Sequence, residues 1–160
     1  MAKIHKTNAM RELESAGVPY RSATYEVDER DLSGMHVALQ LGQDANMLFK
    51  TLVLSGERTG YLVCCIPTNA DLDLKKAARA AGDKKVEMLP LRKLTAVTGY
   101  VRGGCSPLAM KKRFSTFIDE TAVLYDEIYV SAGERGKQII VNGEALAELI
   151  GAQLVDLITE

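Results

Sequence analysis

Lys50 is a lone cation in an apolar run, Phe49-Lys50-Thr51-Leu52-Val53-Leu54. An ammonium held there could offset charge developing on a carbonyl oxygen, or hold a ribose or phosphate. The structural alternative is a stem lying over a sheet edge with its amine on a carboxylate, since an unpaired desolvated ammonium is costly. Strand position alone leaves both readings open. A second stretch, Gly103-Gly104-Cys105-Ser106-Pro107, has paired glycines that let a ligand approach the main chain. Its N–H groups could hold a carbonyl or carboxyl oxygen, or the loop could be a plain turn. The turn Ser131-Ala132-Gly133-Glu134-Arg135-Gly136 carries the same two readings.

Other catalysts are scarce. The two histidines, His5 and His36, sit beside no nucleophile-elbow motif. Cys64 and Cys65 are adjacent and Cys105 is alone, so no zinc spacing or CxxC pair exists. Neighbouring cysteines on a strand point to opposite faces, as two small core residues would. There is no GxGxxG after a first strand and no P-loop, so no cofactor or metal is expected and a doubly wound nucleotide fold is disfavoured.

The elements that must position these residues read as follows. Phe49–Leu54 and Tyr61–Ile66 flank a Gly-bearing polar turn and form a hairpin. Within the first of these strands Lys50, Leu52 and Leu54 share one face and Phe49, Thr51 and Val53 the other. Both faces are largely apolar, so the strand is expected to be central. Helices are predicted over Thr7–Ala16, from a Ser33 cap to Gly42, from an Asp71 or Asp73 cap to Gly82, over Leu91–Val97, and from an Asn142 cap to Gly151. Further strands are predicted over Val18–Val27, Val86–Leu89, Ser115–Asp119, Val123–Val130, Gln138–Val141 and Gln153–Ile158. Seven or eight strands interspersed with four or five helices give a mixed α/β, α+β-like fold with a largely antiparallel sheet.

The 160 residues suit one domain over 1–160, with a net charge of −1 that gives no global pull on nucleic acid. An odd number of cysteines, with no apolar leader or run near 18 residues, reads as a cytoplasmic chain with no membrane partner. A monomer is expected. The one clear basic cluster is Lys75, Lys76, Arg79, Lys84 and Lys85, which suits RNA phosphates but is also what a solvated helix face looks like.

In order along the chain, Phe49-Lys50-Thr51-Leu52, Leu74-Lys75-Lys76-Ala77-Ala78, Lys85-Val86-Glu87-Met88, Thr98-Gly99-Tyr100-Val101, Gly103-Gly104-Cys105-Ser106-Pro107-Leu108 and Tyr129-Val130-Ser131-Ala132-Gly133-Glu134-Arg135-Gly136 resemble the YbaK family. These are free-standing relatives of the editing domain of bacterial prolyl-tRNA synthetases. The resemblance runs from about Tyr20 to the C-terminal strand. It implies a barrel-like mixed sheet with surrounding helices and hydrolysis of mischarged Cys-tRNA(Pro), with prolyl-tRNA synthetase as a possible partner. It also implies catalytic roles for Lys50, Gly103 and Gly104, and a pocket using Tyr25, Thr51, Cys105, Ser106, Ser131 and Gly133. In the implied mechanism the cysteinyl thiol attacks its own ester and leaves as a thiolactone, so the step has lyase character. Four positions depart from the family pattern: Ser33 for phenylalanine, Gln138 for aspartate, Cys105 for isoleucine and Ala109 for glycine. The alternatives are a deacylase for Ala-tRNA(Pro) or another small-residue error, and a non-catalytic module that binds aminoacyl-tRNA or a synthetase.

Overall fold

A computed structural model describes residues 5–160. Four of the described α-helices begin where a short polar side chain can accept from a free helix N–H. Thr7 caps α1 (Asn8–Ser15), Ser33 caps α2 (Gly34–Leu41), Asp73 caps α3 (Leu74–Ala81) and Asn142 caps α5 (Gly143–Ile150). Asp73, not Asp71, is the α3 cap, accepting from Lys75 N at 2.9 Å and Lys76 N at 3.2 Å. Glycines end α2, α3 and α5 as predicted. The helix expected over Leu91–Val97 is divided into a 3-10 turn, Leu91–Lys93, and α4, Leu94–Thr98.

The eight strands of the described residues form two sheets. The larger has the order β4-β2-β3-β5-β8, from Val86–Met88, Phe49–Gly56, Gly60–Pro67, Ser115–Asp119 and Gln153–Val155. The smaller has the order β1-β7-β6, from Tyr20–Thr24, Lys137–Val141 and Ile128–Ser131. The β2–β3 hairpin, β2–β4, β1–β7 and β6–β7 are antiparallel, while β3–β5 and β5–β8 are parallel. The mixed, largely antiparallel arrangement is therefore present, but no closed barrel exists among the described residues. The two sheets meet through one parallel bridge, Leu48 to Tyr129. On its outer edge β2 pairs with β4 only over Leu54–Gly56, so the strand is central in its second half and lacks that partner at Lys50.

Three predicted strands are shorter than expected by more than one residue, and each end has an identifiable hydrogen-bonding cause. β1 stops at Thr24 because β7, its ladder partner, supplies only Lys137–Val141. In the Val123–Val130 run, Asp119 accepts from Thr121 N and Oγ1 and starts a 3-10 turn over Glu120–Leu124, leaving Ile128–Ser131 to pair. β8 ends at Val155 because Leu157 N turns inward to Asp119 Oδ1 at 2.9 Å.

The predicted alternation along β2 and β3 divides the core. Phe49, Val53, Val63 and Cys65 face a cluster shared with β6, β7, α1 and α5, including Leu13, Val130, Ile139 and Leu146. Leu54, Leu62, Cys64 and Ile66 face a second cluster closed by Ala77 and Ala78 of α3. Ala77 is fully buried, so a larger side chain there would push α3 off the sheet at a cost of about 1–3 kcal/mol. Val37 and Ala38 of α2 cover Leu48, Tyr129 and Ile140 on the outer side of the small sheet. That packing brings the start of α2 to the seam between the sheets.

Candidate active site

At that seam lies a cleft of about 380 Å³. One wall is the first half of β2, from Phe49 to Leu52, and another is the start of α2, with Ser33, Gly34 and Met35. The small sheet and its flanks contribute Tyr25, Ser131 and Gln138, and the loop after α4 contributes Arg102, Gly103 and Cys105. Thr68, just past β3, completes the contact with α2. A Cβ on Gly34 would sit 1.8 Å from Thr68 Oγ1, so only glycine lets the helix start this close to the sheet. The loop is a tight turn in which Gly104 N donates to Val101 O at 3.0 Å. Gly103, at its third position, has φ 84°, a conformation that glycine adopts without strain.

Lys50 is half-buried in the cleft wall, and no carboxylate lies within 4.0 Å of its amine among the described residues. The structural alternative, an amine seated on a carboxylate, is therefore not what the fold builds. Lys50 and Arg102 are the charged side chains of the wall, which includes no aspartate, glutamate or histidine. The start of α2 adds the positive end of a helix dipole. Cys105 does not offset this charge as a thiolate, because burial pushes its thiol up to about 12. Ser131 Oγ accepts from Gly133 N at 3.2 Å, and Thr51 Oγ1 is 3.8 Å from the buried Cys65 sulfur. Ser33 Oγ is the lining hydroxyl that donates to a carboxylate among the described residues, to Asp31 at 2.6 Å, and the same oxygen caps α2. The cleft offers positive charge to an anion or a developing negative charge, and its own lining includes no imidazole or carboxylate.

Of the residues singled out in the sequence, Lys50, Thr51, Tyr25, Gly103, Cys105 and Ser131 are brought together in this cleft. Gly104 lies behind it, where a Cβ would stand 3.2 Å from Arg135 N and Glu134 Cα. Its smallness lets the two glycine turns meet. Ser106 is fully buried and accepts from Leu108 N, and Gly133 lies against the Tyr100 ring in a separate cavity. None of Lys75, Lys76, Arg79, Lys84 and Lys85 lines the cleft. Lys76 pairs with Asp156 at 2.9 Å and donates to Ile158 O, and Lys85 pairs with Glu87 at 3.4 Å. His36 is outside the cleft, bonded through Nε2 to Gln40.

Sequence reasoning missed Arg102, Gly34, Thr68 and Arg135. Arg135 Nε donates to Arg102 O at 2.7 Å, clasping the Gly103 turn. Gly34, directly after a strong N-cap, carried a readable signal, because glycine at the first helical position suggests a close approach. The other three depend on tertiary contacts. No group of His, Cys, Asp or Glu among the described residues is placed to hold a metal ion, and no described helix is long and apolar enough to cross a membrane.

Residues 35–149 match the aminoacyl-tRNA editing domain family. The chain is 50% identical over 155 residues, covering 97% of it and 94% of the relative, to an Enterococcus faecalis protein named "Putative Cys-tRNA(Pro)/Cys-tRNA(Cys) deacylase EbsC". Among solved structures, one described as "a putative trans-editing enzyme for prolyl tRNA synthetase" is 23% identical with a TM-score of 0.82, with 96% of each chain covered. The hypothetical protein APE2540 is 20% identical with a TM-score of 0.87, covering 96% of this chain and 100% of that one. These two share the fold, and the curated relative carries the likeness across almost the full length.

Proposed function

The chain belongs to the aminoacyl-tRNA editing domain family, and from that membership we propose that it is a deacylase that removes misattached cysteine from tRNA(Pro) in trans. The name of its 50% identical relative supports the substrate class. The observation that carries the reading is the electropositive cleft whose wall has no carboxylate, imidazole or thiolate. Such a site suits a substrate that arrives activated and brings its own nucleophile. An aminoacyl ester needs positioning and charge stabilisation more than activation.

In the proposed reaction the cysteinyl sulfur attacks the ester carbonyl. A C–S bond forms as the carbonyl–ribose C–O bond breaks, the thiol proton passes to the ribose oxygen, and cysteine leaves as its thiolactone. Lys50 and the Gly103 N–H face the oxygen on which negative charge develops, and Tyr25, Thr51, Cys105 and Ser131 shape the space around the side chain. Ser106 and Gly104 support the loop from behind. Alanine and proline lack the thiol, so selection is chemical as well as steric, which a small apolar pocket alone cannot achieve.

The test is deacylation of Cys-tRNA(Pro), Cys-tRNA(Cys) and Ala-tRNA(Pro) by wild type and Lys50→Ala, with and without prolyl-tRNA synthetase. Loss of the cysteinyl esters alone, slowed about 100-fold or more by Lys50→Ala, is the expected result. Loss of the alanyl ester would overturn the thiol mechanism. Three untouched esters would reduce the protein to a binding module.

A further inference from the structure

Arg102 lines the cleft, Arg135 bonds to its main-chain carbonyl beside the Gly103 turn, and neither has a carboxylate within 4.0 Å among the described residues. Glu134, the acid adjacent in sequence, is turned to Lys137 at 3.1 Å and His5 at 3.4 Å. Asp31, next to the lining residue Leu32, is taken by Ser33, whose Oγ donates to it at 2.6 Å. Arg135 lies along the Gly103 turn, its Nε and Cγ 3.4 Å and 3.5 Å from where a Cβ on Gly103 would be. Its Nε donates to the Arg102 carbonyl, which leaves the other guanidinium N–H groups uncommitted. A phosphate is the group whose oxygens match the planar fork of a guanidinium that has no acid of its own.

We propose that Arg102 and Arg135 form a phosphodiester grip for the RNA end whose terminal ribose carries the ester. The proposal rests on the deacylase reading for the identity of that end. A nucleoside ester seated with its carbonyl at Lys50 and the Gly103 turn has its 5′-phosphate one nucleoside away, at the mouth rather than the floor of the cleft. Arg102 is exposed there in the wall itself. Arg135 binds the phosphate and the turn at once, so RNA binding and the placement of the Gly103 N–H are mechanically joined. The grip answers the negative charge nearest the scissile bond, a task for which the α3 lysines are wrongly placed.

The experiment is equilibrium binding of AMP, adenosine and inorganic phosphate to the folded protein, followed by hydrolysis of 3′-cysteinyl adenosine with and without a 5′-phosphate. In wild type AMP is expected to bind about tenfold tighter than adenosine. That ratio should collapse towards one in Arg102→Gln and in Arg135→Gln, and Arg135→Lys should restore only part of it, because lysine keeps the charge without the fork. The wild-type KM for the 5′-phosphorylated ester should fall by a similar factor, with the same losses in the variants. An AMP-to-adenosine ratio near one in wild type, or a ratio retained in both glutamine variants, overturns the grip. Phosphate alone binding as tightly as AMP overturns its assignment to an RNA end. AMP binding that follows the prediction while neither ester is cleaved sustains the grip and defeats the deacylase reading.

Discussion

On α3, the Lys76 amine lies 2.9 Å from Asp156 and 2.6 Å from the Ile158 carbonyl. In the cleft, Lys50 and Arg102 have no acid within 4.0 Å among the described residues. The helix holds the denser run of positive charge, yet part of that charge is already spent on the protein's own oxygens. Among the described residues, the sparser set in the cleft shares its lack of an acid partner with Lys75, Arg79 and Lys84, but it alone lines a cavity wall free of acids. On the proposed reading, cation density along a sequence is a poorer guide to RNA contact than placement in a cleft wall without acids.

This comparison predicts opposite effects for two similar substitutions. Lys50→Met should lower deacylation of Cys-tRNA(Pro) about 100-fold or more while leaving the melting temperature unchanged or higher, because it removes a half-buried charge with no acid beside it. Lys76→Met should leave turnover intact and lower the melting temperature by roughly 2 °C. Thermal melts and initial rates on the same preparations check both, and a loss of stability in Lys50→Met would break the comparison. Next in size is the triple variant Lys75→Ala/Arg79→Ala/Lys84→Ala. Removing three exposed charges should raise KM for the tRNA no more than about threefold at physiological salt, and a tenfold rise would restore α3 as the RNA surface.

The smallest effect concerns pH. The hydrogen bond to Lys76 holds the Asp156 carboxyl below the usual aspartate range. A depressed carboxylate contributes stability above its unfolded pKa and loses it as pH falls through the folded one. The difference in melting temperature between wild type and Lys76→Met, present at neutral pH, should therefore shrink as pH falls below the ordinary aspartate value. A gap that persists in strong acid would mean that Lys76 acts through packing or the Ile158 carbonyl instead.

Features encoded within a few residues were legible in the sequence. The β2–β3 hairpin, the Ser33 and Asn142 caps and the alternation of Cys64 and Cys65 between two cores all follow from local rules. Lys50 and Gly103 could be singled out because a cation in an apolar strand and a glycine pair are locally odd. What the sequence hid depends on partners distant in the chain. The end of β1 is set by the length of β7, and the gap beside Lys50 exists because β4 is only three residues long. Arg102 meets Arg135 across 33 residues, and Lys76 meets Asp156 only through the fold. Ser106, which the family resemblance puts in the pocket, is fully buried and accepts from Leu108 N, an environment that only the fold reveals.

The seam between the two sheets has a consequence for how activity appears in time. Its cleft draws on Tyr25, Lys50, Arg102, Ser131 and Gln138, and β1 has no ladder until β7 arrives more than a hundred residues later. Closing such distant pairs is slow compared with winding helices or zipping the central hairpin. During refolding, helical signal should thus return well before turnover. A fragment that keeps the hairpin and α3 but loses Lys137–Val141 would have a lysine on a strand and no enzyme around it.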